Sequence, residues 1–240
     1  MKVQDCINHL AVGELSNIGW LNLDSQTEFD TEDIKKIIAL MNEALTRLYT
    51  KFILKTGALF VELQENKTEY ILTKEHISNG YDCPDHLGMP DYNKYIRPMS
   101  GKPFEDDIIK ILTVTLSSGI NLPLNNSSNP VSVYTPSFNV LQVPLPFSHG
   151  VLAVTYQANH FKLNEKELNK EMELPESLYG ALYAYVAYLA YSNINTQEAV
   201  QNSQKYFALY TDIINDNVLM DTVNQSNSQT NVKFQMNGWC

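Results

Sequence analysis

The hydrophobic pattern changes period twice along this chain, and that constrains its fold more than any single residue. Ile34, Ile37, Ile38, Met41, Leu45, Leu48, Tyr49 and Phe52 recur at helical spacing and define one buried face. From Ala58 to Ala158 the pattern becomes one of short strands. Ala58–Leu63 and Glu69–Leu72 flank Gln64-Glu-Asn-Lys-Thr68 and read as a hairpin. Ile108–Leu116 reads as a strand with Ile108, Leu112, Val114 and Leu116 on one face and Thr113 and Thr115 on the other. Val131–Tyr134, Asn139–Val143 and Val151–Ala158 complete an expected antiparallel sheet, with turns at Ser117-Ser-Gly119 and at Pro144-Leu-Pro146 leading to Gly150. Helical spacing then returns.

The remaining helices have their own signals. Val3, Ile7, Leu10, Leu15 and Ile18 predict a first helix over Val3–Ile18, weakened at Gly13. Asp30 or Thr31 is placed to cap the second, and Gly57 to stop it. Leu174-Pro175 opens the late helices, with Leu178, Leu182, Tyr185 or Val186, and Leu189 facing inward. Asn195 is placed to cap the last helix, with Glu198 in a capping-box position and Phe207, Tyr210, Ile214 and Val218 as its buried face. The expected fold class is α+β. An antiparallel helical bundle from 1–56 and 174–221 carries a β-rich insertion over 57–173 with long loops, and 222–240 is an extended C-terminal tail.

In that tail Val232, Phe234 and Met236 alternate with Lys233, Gln235 and Asn237, and Trp239 follows. This is the period of a strand with one face for burial, and strand addition to an exposed edge is a common binding mode for extended segments. Folding back on its own sheet, or disorder, is the plain alternative. Tyr179, Tyr183, Tyr185, Tyr188, Tyr191, Tyr206 and Tyr210 crowd the last two helices on more than one face, so part of the set is expected against a neighbour or another helix. The loop 119–130 presents Ile120, Leu122 and Leu124 among Asn and Ser residues, an odd exposure for a free monomer. Val232, Phe234, Met236, Trp239, Ile120, Leu122 and Leu124 are therefore the candidate partner-binding residues.

With 240 residues, 44% of them hydrophobic, the chain can bury a core without metals or disulfides. Its formal charge of −10 and dispersed 17 basic residues disfavour nucleic acid as a primary partner, although an acidic wall suits a channel that DNA passes through. Cys6, Cys83 and Cys240 are few, odd in number and far apart, which fits a reducing compartment. The first ten residues lack a signal-peptide core, and Leu178–Tyr191 is too short to span a bilayer, so a soluble protein made in the cytoplasm is expected.

Chemistry-bearing motifs are sparse. His76, Cys83 and His86 lie in the long loop 73–105, but zinc wants four ligands in two close pairs, and an irregular surface loop is the better reading. Phosphate-binding glycine loops and nucleophile motifs are missing. Glu105-Asp106-Asp107, and Asp212 with Asp216 one turn apart, read as solvated acidic faces. No catalytic residue, metal or cofactor is expected.

The layout resembles the head-to-tail adaptors of short-tailed bacteriophages, the tail tubular protein A family. The resemblance rests on the opening helix Val3–Ile18, the Ile34–Phe52 helix, the Leu59–Leu72 hairpin, the β insertion ending Val151–Tyr156, Leu174-Pro-Glu-Ser-Leu178 and the extended tail. It implies a non-enzymatic ring, commonly of twelve copies, between the portal protein and the tail nozzle protein. The ring would continue the DNA channel, with DNA only as passing cargo, no membrane and a virion location. Phe234 and Trp239 would be the aromatic anchors. The β insertion is long for that family. Another tail tube or nozzle component shares these features, and a metal-binding enzyme or binding module using the 73–105 loop is the reading from a different class.

Overall fold

A computed structural model of the chain describes residues 1–18, 29–78, 93–99, 103–144, 150–220 and 223. Four α-helices and two antiparallel sheets are found among these residues, a mixed α+β fold. They group into two compact units, one made of Met1–Leu54 with the chain from Phe161 onward, the other of Lys55–His160.

In the helical unit α1 spans Val3–Val12 and α2 spans Thr31–Lys51. Helix α1 ends six residues before the expected Ile18, because Gly13 takes the cap position and the chain turns there. Asp30 caps α2, its carboxylate accepting from the Thr31 N–H. The predicted stripe is buried from Ile37 through Phe52. Gly57 does not end this helix. Phe52 already adopts an extended conformation, and Gly57 lies in the next strand.

The chain returns to this unit at Phe161, not at 174. Asn42 of α2 explains the earlier return, accepting from the Leu163 N–H at 2.8 Å and donating to the Leu163 carbonyl at 3.1 Å. The same stretch serves α1, whose first amides donate to Lys170 and Leu168 carbonyls at 3.1 and 2.9 Å. These N–H groups have no partner inside the helix itself. Tyr49 donates its hydroxyl to the Glu173 carbonyl, and burial pushes its pKa up to about 12.

A single 3₁₀ turn, Glu176–Leu178, leads into α3, Tyr179–Ser192, and α4 follows over Gln197–Leu219. Helix α3 touches both α2 and α4 and is buried on nearly every side, which is why its apolar residues form no single stripe. Thr196, not Asn195, caps α4, its hydroxyl accepting from the Ala199 N–H at 3.2 Å. No helix among the described residues is long and apolar enough to cross a membrane.

The second unit holds β1 (Thr56–Glu62), β2 (Glu69–Ile71), β3 (Ile96–Pro98), β4 (Ile108–Leu116), β5 (Asn121–Leu122), β6 (Tyr134–Ser137), β7 (Val140–Gln142) and β8 (Val151–Ala158). One sheet runs β3-β1-β8-β4-β5 and the other β2-β7-β6. The expected β1–β2 hairpin does not form, since the two strands belong to different sheets. Tyr70 explains the parting: its hydroxyl accepts from the Gln64 N–H at 2.9 Å and lies 3.1 Å from the Lys67 carbonyl, holding the connection away from ladder pairing. Strand β4 has the predicted bounds but not the predicted alternation. Two register shifts against β8 make Ile108, Ile111 and Val114 the buried residues.

Candidate interaction surface

Among the described residues, helix α4 carries more exposed large apolar side chains than any other element. Ala199, Ser203, Tyr210, Ile214 and Asn217 form its buried side. The expected buried face included Phe207 and Val218, yet these are 42% and 50% exposed. The helix turns about 100° per residue, so Val200, Phe207 and Val218 share a stripe beside the buried one. Val200 and Leu209 are also exposed, and the helix ends in Val218, Leu219 and Met220, the last two 82% and 73% exposed.

Along this stripe runs an open groove of about 890 Å³. One wall is α2 with Glu43, Arg47, Thr50 and Lys51, and the other is α4 with Phe207, Thr211, Ile214 and Asn215. Tyr185 and Tyr210 contribute from α3 and α4. Thr46 and Thr50 donate their hydroxyls back to the Asn42 and Thr46 carbonyls at 2.8 and 2.7 Å. Their hydroxyl hydrogens are thus engaged within α2.

The aromatic side is built by two i, i+3 pairs that face each other. Tyr188 meets Phe207 with ring centroids 5.0 Å apart, and Tyr185 meets Tyr210 at 4.8 Å. The Arg47 guanidinium lies 5.4 Å from the Tyr185 ring centroid, a cation–π contact. Proximity to Tyr185 raises the Arg47 pKa, assisted by a hydrogen bond with Tyr210. Burial pushes the Tyr185 and Tyr210 hydroxyls up, while Arg47 opposes both shifts. The result is a groove with an aromatic floor and a cationic edge. Further along, Tyr191 stacks on Tyr206 at 5.7 Å and both hydroxyls donate to the Glu14 carbonyl. Much of the tyrosine crowding is thus helix meeting helix within the unit.

The sequence candidates are not brought together. Ile120 is 61% exposed at the β4–β5 turn. Leu122 is buried, paired with Val114 in the sheet, and Leu124 packs half-buried on the same core. The exposure expected of the three therefore holds for Ile120 alone, because β5 turns Leu122 inward. Val232, Phe234, Met236 and Trp239 lie outside the described residues. So do Cys83 and His86, while His76 stacks on Tyr95 at 4.7 Å and its Nδ1 lies 2.8 Å from the Asn93 carbonyl.

The acidic run Glu105-Asp106-Asp107 is occupied within its own unit. Glu105 pairs with Lys74 at 3.1 Å, Asp106 accepts from the Lys74 N–H at 2.6 Å, and Asp107 meets Lys55 and the Tyr156 hydroxyl. Among the described residues no group of three or more His, Cys, Asp or Glu could hold a metal ion.

Sequence reasoning missed the groove because its residues come from three helices. The available signal was Val218-Leu219-Met220, three apolar residues at a helix end where one face cannot bury all three. No family model matches the chain, and no curated protein matches it in sequence.

Proposed function

We propose that this chain is the subunit of a structural ring, a head-to-tail connector that joins a phage portal to the tail and continues the DNA channel. The observation that carries the proposal is the apolar stripe of α4, where Val200, Phe207 and Val218 share one side and are all more than 40% exposed, together with Leu219 and Met220 exposed at its end. Exposed apolar residues that adjoin one another on a folded surface mark an interaction site. In this reading the helices form an antiparallel bundle that packs subunit to subunit. Ile120 and the segment with Val232, Phe234, Met236 and Trp239 meet the portal, the nozzle or an adjacent subunit. A ring needs head-to-tail contacts, in which two different surfaces of the same chain meet. The net charge of −10 suits a channel wall that DNA slides past.

Native mass spectrometry of the purified chain tests this, alongside a chain lacking 232–240. The expected result is a closed ring of about a dozen copies for the full chain. The shortened chain should remain folded but fail to join portal protein. A full chain that stays monomeric with portal protein present would end the proposal.

A further inference from the structure

The end of α4 and the α2–α4 groove are matched in apolar character and in charge but cannot meet within one chain. Leu219 and Met220 project as exposed apolar side chains, while the groove offers Tyr185, Phe207 and Tyr210. A methionine thioether and a branched aliphatic side chain suit such a floor. Helix α4 is continuous from Gln197 to Leu219, and its own residues Phe207–Asn215 form one wall. Leu219 stands about 12 Å beyond Thr211 on that rigid rod and cannot turn back into the groove. Only another copy can bring the two together.

Charge supplies a second, independent reason. Asp212, Asp216 and Leu219 are spaced i, i+4 and i+7, so they lie on one side of α4, and both aspartates are exposed. Neither meets a cation among the described residues, and the last turn contains no basic residue. Two carboxylates one turn apart near a helix C-terminus repel each other and oppose the macrodipole, a local cost without a local benefit. The groove edge carries the opposite sign in Arg47 and Lys51, with Glu43 one turn from Arg47.

We infer that the α4 end of one copy, Asp212–Met220, docks in the α2–α4 groove of a second copy, with Leu219 and Met220 on the aromatic floor and Asp212 and Asp216 against Arg47 and Lys51. This inference rests on the ring reading for its biological meaning, and it names the surfaces that would close the ring.

The test is sedimentation velocity over a concentration series of the full chain and its L219D/M220D, K51E, D216K and K51E/D216K variants. Circular dichroism verifies helix content in each, which exposed positions should leave unchanged. The full chain should associate with rising concentration, and L219D/M220D should weaken association about 100-fold. K51E and D216K should each weaken it, and the double swap should recover much of the loss. A chain that stays monomeric throughout overturns the inference, as does L219D/M220D associating like the parent. The ring reading fails separately: association that stops at a dimer and is dissolved by L219D/M220D keeps the contact and ends the ring. A ring indifferent to L219D/M220D does the reverse.

Discussion

At the scale of a residue, Gly57 is decided by what stands opposite it. It pairs with Tyr156 across β1 and β8, and a Cβ there would lie inside contact distance of the Tyr156 ring. That ring cannot move freely, since it meets Phe104 edge-on at 5.9 Å and its hydroxyl donates to Asp107 at 3.2 Å. Gly to Ala in a strand would otherwise stabilise by restricting the unfolded chain. Here overpacking wins, and Gly57→Ala should lower stability by about 1–3 kcal/mol in denaturant unfolding. In a Tyr156→Leu background the same change should cost much less, a coupling that a double-mutant cycle reads directly. Equal losses in both backgrounds would remove Tyr156 as the cause. From sequence, Gly57 looked like a helix stop. Its use as a space for a tyrosine depends on register between strands nearly a hundred residues apart, which no local pattern encodes.

At the scale of an element, local signals found helices and strands well where one side was buried and failed where partners decided. Helix α2 was legible because its stripe and Asp30 agree. Strand β8 has the predicted bounds, Val151–Ala158, being a central strand between β1 and β4. The β1–β2 pairing was misread because turn length looked right, whereas Tyr70 ties the connection to itself. The start of α4 was misplaced by one residue, with Asn195 and Thr196 both chemically able to cap. The observed bond from the Ala199 N–H to the Thr196 hydroxyl gives a clean discrimination. Thr196→Ala should cost about 1 kcal/mol, the usual value of a lost N-cap. Asn195→Ala should be close to neutral. Chemical denaturation of the two variants checks this, and the reverse order of stabilities would return the cap to Asn195. Neither substitution touches the groove, so both should leave self-association unchanged.

At the scale of the whole molecule, the β unit enters and leaves the helical unit through neighbouring strands. Thr56 of β1 lies opposite Gln157 of β8, and Ala158 N–H donates to the Lys55 carbonyl at 2.9 Å. Cα atoms of opposed residues in such a ladder are about 5 Å apart, so a few residues suffice to bridge the gap. Among the described residues, the core of this unit runs from Leu59 through Ala158 and is built from its own strands and loops. Within the helical unit α3 is buried on nearly every side, against α2 and α4. The division into two units is legible in the sequence only in part. The change of hydrophobic period marked the insertion, but residues 161–173 have no period and join the helices through Asn42 and Tyr49. Replacing 55–160 by a short Gly/Ser bridge is expected to leave the helical unit folded. The shortened chain should keep the α-helical circular dichroism of the parent and melt cooperatively. Because the groove and the α4 end both belong to the helical unit, it should also self-associate with an affinity within about tenfold of the full chain. Sedimentation velocity against the L219D/M220D version of the same shortened chain reads this. A folded but monomeric shortened chain would mean that the β unit supplies the contact between copies, shifting the interface from α4 to Ile120 and its surroundings.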